Sequence, residues 1–397
     1  MPAPVISSGH QPGFQHPGIL AKRIALAKEA ASRGGGSAWL VADQDIDDPE
    51  VIRYPDLDDR GNLVARSWKL FPVRRGVPTA VRRWKSIAAP PSISDRLPGS
   101  IQSGLDRMHE ALESVEGETV AARFSAASEH LLTDLLGHPT TLVRASELLE
   151  TEPGRNAVDR ILDDPIRCAE VWNEGLREVP RAARALRIDH RDPLATEVPA
   201  WVLDSEGIRW AAKAGDLQGN HGDGPRIMPR AFLMTAVFRI LTGAPMIHGT
   251  GGGRYERVTG HWAREFLEVE LPPIQVVSAD QLLPLEPFVP SNAEPRLRER
   301  IRELEHDPWT DARIKQDWLR RISESPPGST GRRQAFERMH EAIAHEREAV
   351  GADLDELRSL EALGAHQQAR LELARSRTWA WPLHESSDLR NLRLITA

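Results

Sequence analysis

The chain of 397 residues contains a single cysteine, which limits its covalent and metal chemistry. One cysteine cannot form an intrachain disulfide, and a metal site built from several cysteines is excluded. Cys168 lies in a stretch with helical character, residues 164–171, where a small buried cysteine usually has a structural role. A catalytic thiol is the alternative interpretation.

Long apolar runs and an excess of positive charge are also missing. No segment approaches the ~18 apolar residues of a membrane span, and the N-terminus lacks the apolar core of a signal peptide. We therefore expect a cytoplasmic protein without membrane attachment. The net charge is −7, whereas a nucleic-acid-binding domain is usually basic. The expected ligands are small molecules, not nucleic acids.

Motifs of several enzyme classes are absent. The sequence has no Gly-x-Ser-x-Gly elbow of a serine hydrolase and no lysine-containing phosphate loop. It also has no compact His-x-x-x-His pair, so we assign no residue to a metal. These absences direct attention to loops that bind ligands mainly through their backbone.

The sequence does contain two loops rich in glycine and histidine, more than 230 residues apart. The first, residues 8–18, lies between a short apolar run and an amphipathic helix. The second, residues 247–255, precedes an expected helix at residues 258–266. A strand, a glycine turn and a helix direct backbone N–H groups and a helix N-terminus at an anion. We expect the two loops to form one composite site for a nucleotide or another phosphorylated or carboxylated ligand.

The first loop supplies candidate groups of two kinds. Gly9 and Gly13 allow the backbone to approach a ligand, and His10 and His16 are expected to stabilise negative charge in the transition state. The run that begins at His16 partly resembles the His-x-Gly-His signature of nucleotidyl-transferring α/β enzymes, with Ile19 in place of the second histidine. Histidines that only cap the loop are the alternative.

The second loop has the stronger glycine pattern. Its glycines permit close approach of a ligand, and an arginine at the helix start can pair with an anion. We expect the two arginines that flank Pro229 to face the same cleft. The anion-binding candidates are His248, Gly249, Gly251, Gly252, Gly253, Arg254, Tyr255, Arg226 and Arg230. A flexible connector and ordinary surface arginines are the alternatives.

An acidic segment follows the buried strand predicted at residues 39–42. Ligands of open α/β sheets bind beyond the carboxyl ends of the strands, which is where Asp43 and Asp45 are expected. Either carboxylate suits a Mg²⁺ ion or the role of a general base. The alternative is a solvated turn, since aspartate is common in turns.

The order of these features predicts a Rossmann-like α/β core over residues 1–292 with a helical insertion at about 100–195. Charged helical sequence follows at residues 293–377, and residues 378–397 are expected to return to the core. Apolar residues recur every seven positions in the second half of the charged region, beginning at Phe336 and Ile343. This pattern predicts an antiparallel coiled-coil arm that forms a homodimer. Two ordinary helices packed on the core are the alternative.

Four short motifs carry a family resemblance. Residues 8–13 resemble the Thr-Gly-Gln-Gln-x-Gly opening of the cysteine-adding enzymes of bacillithiol biosynthesis, in which a Pro-bearing loop also leads into a helix with a lysine, Lys22 here. Residues 41–45 are similar to that family's strand ending in Glu-Asp-His-Asp. Residues 229–231 and 247–252 are similar to an uncharacterised branch of the family.

The resemblance implies a Rossmann-like core, a dimerising coiled coil, and amide formation between an amino acid, cysteine in this family, and the amine of a sugar conjugate. By position, His10 and Gln11 match the opening motif, and Asp43 to Asp45 match the acidic one. Candidate cofactors are ATP or ADP with Mg²⁺. The sequence therefore predicts a ligase. A non-catalytic binding or scaffolding protein and a nucleotidyltransferase are the alternatives.

Overall fold

The computed structural model describes residues 4–137, 140–180, 182–218, 226–288, 301–302, 304–305, 307–309, 312–349 and 351–396. Two compact units are present. The first unit contains Met1–Leu57, Ala65–Leu283 and Ser376–Ala397. The second contains Asp58–Val64 and Pro284–Arg375.

The described strands and helices alternate along most of the chain. The strands are β1 (Pro4–His10), β2 (Gly36–Val41), β3 (Val51–Leu57), β4 (Leu63–Lys69), β5 (Thr141–Arg144), β6 (Glu197–Leu203), β7 (Arg209–Lys213), β8 (Ile227–Pro229), β9 (Met246–His248), β10 (Ile274–Ser278) and β11 (Ile395–Thr396). The helices are α1 (Pro17–Arg33), α2 (Gly99–Ser114), α3 (Val120–Leu136), α4 (Glu152–Asp163), α5 (Pro165–Glu178), α6 (Ala214–Leu217), α7 (Ala231–Thr242), α8 (Gly252–Trp262), α9 (Ala312–Glu324), α10 (Thr330–Ala349), α11 (Gly351–Ala374) and α12 (Ser386–Arg390).

A six-stranded sheet with the order β11-β10-β9-β1-β2-β5 forms the centre of the first unit. Its neighbouring strands are parallel except for the antiparallel pair of β10 and β11. From β1 the chain proceeds to β2 and β5 on one side, and it later adds β9 and β10 on the other side. The strand order therefore reverses between β1 and β9, which is the position at which open α/β sheets bind ligands. The predicted α/β class with a mainly parallel sheet, consistent with a Rossmann-like fold, is confirmed.

Local sequence explains why α1 follows the first loop. The His16 side chain caps the helix by accepting a hydrogen bond from the Gly18 backbone N–H, and Pro17 occupies the first turn, where its missing N–H costs nothing. Gly34 ends the helix in the left-handed conformation, with φ of 63°. The apolar face of α1, including Leu20 and Ile24, is buried in a core cluster that also contains residues of β1, β2 and β10.

A second core cluster lies around the helices that follow β5. Trp172 of α5 and Trp262 of α8 are fully buried there, with Phe232 of α7 against the Trp172 ring. Beside this cluster, β6, β7 and β8 form an antiparallel sheet in the order β7-β6-β8. β6 and β7 form a hairpin around the turn at residues 204–207.

Some element boundaries differ from the sequence predictions. The insertion at about 100–195 was expected to be helical, but it contains β5, a four-residue edge strand whose Leu142 is partly exposed. Such a short strand leaves no periodic pattern. The second glycine loop is also shorter than expected, because α8 begins at Gly252 and β9 includes His248.

In the second unit, α9 packs against α10, and α11 follows directly after residue 350. The proposed seven-residue register is not buried in the single chain, since Phe336 is 51% exposed and Ile343 is half-buried. Val350 and the start of the arm at residues 293–300 lie outside the described residues. The coiled coil and the homodimer therefore stay predictions. No helix in the described part of the chain combines the length and the apolar character that crossing a membrane requires.

Candidate functional site

The two glycine- and histidine-containing loops meet at the carboxyl ends of two adjacent strands. Ser7 and Ser8 of β1 pair in parallel with Met246 and Ile247 of β9. The Ser8 hydroxyl also donates a 2.7 Å hydrogen bond to the Ile247 carbonyl oxygen. Because the first loop follows β1 and the second follows β9, the strand pairing fixes both loops on the same edge of the sheet.

A cavity of about 480 Å³ opens between the loops, and we call it the anion cleft. Both loops, α1, α7 and the segment after α11 contribute to its walls. The predicted site residues that line it are Gly9, His10, Gln11, His16, His248, Gly249, Gly251, Gly252 and Tyr255. The structure therefore brings residues of the two loops together around one cavity.

The glycines at the start of α8 have different roles in this wall. A Cβ atom on Gly252 would lie 2.5 Å from Nδ1 of His248, so a larger residue would displace that imidazole. Cβ atoms on Gly249 and Gly251 would meet no atom within 4 Å. These two positions therefore leave open space at the N-terminal end of α8, where the helix dipole favours negative charge.

Lys22 of α1 also lines the anion cleft, and it was not among the predicted site residues. Its side chain is only 3% exposed, and Nζ donates a hydrogen bond to the Gly9 carbonyl oxygen. None of the described carboxylates forms an ion pair with it. Burial, reinforced by the charge of Arg23, lowers the pKa of Lys22 to about 7. A phosphate or carboxylate in the cleft would be a counter-ion for this amine.

Both histidines of the first loop are neutral at pH 7. Burial and then the charge of Lys22 lower the pKa of His10 to about 3. Burial and then the charge of Arg377 lower the pKa of His16. Nδ1 of His16 accepts a 3.1 Å hydrogen bond from the Gly18 amide, which places the imidazole proton on Nε2. His16 is therefore a neutral hydrogen-bond donor on a cleft wall.

The C-terminal segment supplies a further cation to the cleft. Arg377 and Thr378 line the cavity, and the Arg377 guanidinium lies 2.7 Å from the Asp280 carboxylate. A 2.7 Å hydrogen bond from the Trp381 amide to the Gln15 carbonyl oxygen attaches this segment to the first loop. The sequence contains no local signal for the position of Arg377, because the contact joins residues that are distant along the chain.

The second loop is supported from behind by a buried ion pair. Glu256 of α8 pairs with Arg239 of α7, and both side chains are nearly inaccessible. Nε2 of His248 lies 3.1 Å from Oε1 of Glu256, although the two groups are poorly aligned for a hydrogen bond. Glu256 therefore helps to position the imidazole of His248 against the start of α8.

A second cavity, of about 360 Å³, adjoins the anion cleft, and we call it the charged compartment. The two cavities share one wall, whose residues are Gln11, Ala42, Met234, Thr235 and Tyr255. The charged groups of the compartment are Asp45, Arg184, Arg209 and Arg230, beside Trp201. Nε2 of Gln11 donates a 3.1 Å hydrogen bond to Oδ2 of Asp45, which connects the first loop to this compartment.

The remaining predicted site residues lie elsewhere or have structural partners. The carboxylate of Asp43 accepts hydrogen bonds from the backbone N–H and the hydroxyl of Ser146, at 2.8 and 2.7 Å. Gly13 lines two neighbouring cavities, and a Cβ on Gly253 would contact Val276 of β10 at 2.7 Å. Arg226 is exposed at the start of β8, and the side chain of Arg254 lies outside the described part of the chain.

No protein-family model matches this chain, and no curated protein matches it in sequence. Within the described residues, no group of three or more His, Cys, Asp or Glu side chains is arranged to hold a metal ion. The two cavities are lined by hydrogen-bond donors, cations and carboxylates.

Proposed function

We propose that this protein is an amide-forming ligase that binds a nucleotide in the anion cleft and joins the carboxyl group of an amino acid to an amine. The observation that carries the proposal is the convergence of both loops and Lys22 on one cavity at the point where the strand order reverses. An ionised carboxylate is a poor electrophile, so amide formation requires activation as an acyl-phosphate or acyl-adenylate. ATP supplies the phosphoryl group of an acyl-phosphate and leaves as ADP, or it supplies the adenylyl group of an acyl-adenylate and releases pyrophosphate.

The cleft residues fit the phosphate part of such a ligand. Lys22 provides a buried cation that has no carboxylate partner among the described residues, and Arg377 provides a second cation that is half-exposed. The open space at Gly249 and Gly251 lies where the backbone N–H groups of a helix N-terminus bind anions. His16 would donate a hydrogen bond to an oxygen that becomes negative in the transition state.

Asp45 is the better placed of the two predicted carboxylates to receive a proton from the attacking amine. It lines the charged compartment and is linked through Gln11 to the wall that the two cavities share. The carboxylate of Asp43 is buried and accepts a hydrogen bond from the Ser146 hydroxyl, so we assign it a structural role. In the proposed reaction the amine nitrogen attacks the activated carboxyl carbon, the bond to the phosphate oxygen breaks, and Asp45 takes the proton that the nitrogen loses.

Thermal-shift titration with ATP, ADP and AMP, with and without Mg²⁺, tests the nucleotide part of this proposal. A ligand that binds only the folded state raises the melting temperature. We expect a nucleotide-dependent rise in the wild-type protein, a reduced rise in Lys22→Met, and an unchanged rise in Lys28→Met, which alters an exposed lysine of the same helix.

Product analysis tests the ligase part. The protein is incubated with ATP, Mg²⁺, amino acids and candidate amines, and the release of AMP or ADP is measured together with the mass of any amide. The absence of AMP and ADP with every combination, or an equal thermal shift in Lys22→Met and wild type, would lead us to abandon the proposal.

A further inference from the structure

We infer that the charged compartment binds a small zwitterion, an α-amino acid whose amine is the acceptor of the proposed ligation. This inference rests on the proposed function for the role of acceptor, but the binding site itself follows from the compartment's charges. The product would accordingly be an amide between two amino acids.

The charged groups of the compartment form a continuous row. Asp45 lies 3.5 Å from the Arg209 guanidinium, which stacks on the Trp201 ring with its central carbon 4.1 Å from the ring centre. The guanidinium of Arg230 contacts the same ring at 4.7 Å. Arg230 then pairs with Glu197 at 2.8 Å. The Trp201 ring therefore lies between one end that carries the Asp45 carboxylate beside Arg209 and a basic end that carries Arg230 and Arg184 beside Glu197.

The basic end has one positive charge more than its carboxylate can balance. Arg184 donates to both carboxylate oxygens of Glu197 at 2.7 Å, and Arg230 donates to one of them. Burial alone would raise the pKa of Glu197, but the hydrogen bonds from Arg230 and Arg184 lower it, so this residue is ionised. Two guanidinium groups share a single carboxylate, and a ligand carboxylate would balance the second.

The opposite end of the row favours a cation. Oδ2 of Asp45 accepts a hydrogen bond from the neutral amide of Gln11. Its Oδ1 accepts a 2.8 Å bond from the Ile46 backbone N–H and lies 3.5 Å from the Arg209 guanidinium. An ammonium group would be a closer cationic partner for this carboxylate than Arg209. A dianion would face Asp45 and Glu197, and a simple amine would face three arginines. A molecule with both charges a few bonds apart satisfies both ends.

In the orientation that this row of charges favours, the amine of the bound amino acid can act as the acceptor. Gln11, the partner of Asp45, lines both cavities, whereas Arg184, Arg230 and Trp201 line the charged compartment and not the anion cleft. The amine is thus directed toward the shared wall and the carboxylate away from it. The ammonium group first gives one proton to Asp45, and the neutral amine then attacks a carboxyl carbon activated in the cleft. The bond between that carbon and the phosphate oxygen breaks, and the second proton of the nitrogen leaves with the phosphate. No electron donor or acceptor is needed.

Isothermal titration calorimetry without nucleotide tests the site directly. Each of the twenty protein amino acids is titrated, and the tightest is compared with two analogues, one lacking the amine and one lacking the carboxylate. Glucosamine is included as an amine without a carboxylate. We expect the intact amino acid to bind at least about tenfold more tightly than each analogue and than glucosamine, which corresponds to about 1.4 kcal/mol.

Three variants assign the binding to the compartment. Arg184→Gln removes a guanidinium from a side chain that is 58% exposed, so the fold should be retained, and Asp45→Asn removes the charge at the other end. We expect each to raise the Kd of the amino acid at least about tenfold. Arg83→Gln is the matched control, because this arginine is 77% exposed and lines neither cavity, and its Kd should equal that of wild type.

Several outcomes would overturn the inference. These are binding of the analogue without an amine as tightly as the amino acid, tighter binding of glucosamine, no binding of any amino acid, and an unchanged Kd in Arg184→Gln. The nucleotide titration of Lys22→Met is read separately. Amino-acid binding without any nucleotide-dependent thermal shift would reject the ligase proposal and retain the amino-acid site in the compartment. A nucleotide-dependent shift without amino-acid binding would reject only the amino-acid site.

Discussion

The hydroxyl of Ser8 donates a 2.7 Å hydrogen bond to the carbonyl oxygen of Ile247, and this contact joins the two strands that carry the site loops. Both groups are buried one or two residues before the histidines His10 and His248. The contact therefore holds the loops at a fixed separation across the anion cleft. Ser7 makes an equivalent 3.1 Å bond to the Pro245 carbonyl oxygen at the beginning of β9.

These two serines provide a matched pair for testing how the loops are positioned. Ser8→Ala and Ser7→Ala should each lower the free energy of unfolding by about 0.5–1.5 kcal/mol, measured by urea denaturation, because each loses one hydrogen bond to a backbone carbonyl. Only Ser8→Ala should also weaken nucleotide binding, since its partner immediately precedes His248. Equal nucleotide affinities in the two variants would contradict this role of Ser8.

Lys22 predicts a pH dependence of anion binding. Its pKa of about 7 means that the ammonium form, which attracts an anion, is lost as the pH rises above neutrality. We expect the Kd for ADP to rise between pH 7 and pH 9 in the wild type. The same titration in Lys22→Met should have a smaller slope, because only the titration of the nucleotide and of other groups remains.

In the absence of a ligand, the free energy of unfolding should instead increase with pH. The folded pKa of Lys22 lies below its ordinary value of 10.5, so between pH 7 and about 10 the unfolded chain binds more protons than the folded one. This residue alone should therefore make the folded state more stable as the pH rises, by up to about 1.4 kcal/mol per pH unit. Subtracting the denaturation curves of Lys22→Met isolates this contribution. A difference that falls with rising pH would contradict the assignment.

Substitutions of Gly251 and Gly252 distinguish the loss of open space in the cleft from a disturbance of side-chain packing. Gly251→Ala places a methyl group in open space, so the melting temperature should stay unchanged while nucleotide affinity falls. Gly252→Ala would bring its Cβ to 2.5 Å from His248 and should lower both. Thermal denaturation with and without ADP distinguishes the two. A destabilised Gly251→Ala would show that this position is packed.

The sequence predicts the local parts of this site well. β1, the first loop and α1 follow one another along the chain. Their signals are therefore local: the apolar pair Val5-Ile6, the glycine-containing loop and the helix end at Gly34. The meeting of the two loops also follows, because parallel strands place their carboxyl ends on one edge of the sheet. The burial of Lys22 does not follow from the sequence, because Lys22 is two positions from both Leu20 and Ile24 and therefore lies off their common face.

Other parts of the site depend on contacts that no local pattern records. Arg184 follows α5 and Arg209 begins β7, and they share the charged compartment only because β6 and its neighbours fold beside α7. Asp43 and Asp45 are equivalent in the sequence, yet a hydrogen bond from Ser146, 103 positions away, engages the first and leaves the second on the compartment wall. Such distinctions require the tertiary structure.

Arg377 and Arg375 are two positions apart and have similar exposure and similar carboxylate partners. Comparing variants of the two therefore tests whether Arg377 belongs to the anion cleft. Arg377 pairs with Asp280 at 2.7 Å and lines the anion cleft, whereas Arg375 pairs with Glu286 at 2.8 Å in the second unit. Both pairs are half-exposed, so each contributes at most about 1 kcal/mol to stability. Arg377→Gln should therefore leave the melting temperature nearly unchanged.

The two variants should differ in how they bind nucleotides. Arg377→Gln removes a cation from the cleft wall and should raise the Kd for ADP about 5- to 30-fold, the range expected for a charge-assisted hydrogen bond of about 1–2 kcal/mol. It should also flatten the salt dependence of binding, because one screened attraction is lost. Arg375→Gln should bind ADP as the wild type does. If both variants weaken binding equally, Arg377 does not contact the ligand, and the C-terminal segment only supports the first loop through the bond between Trp381 and Gln15.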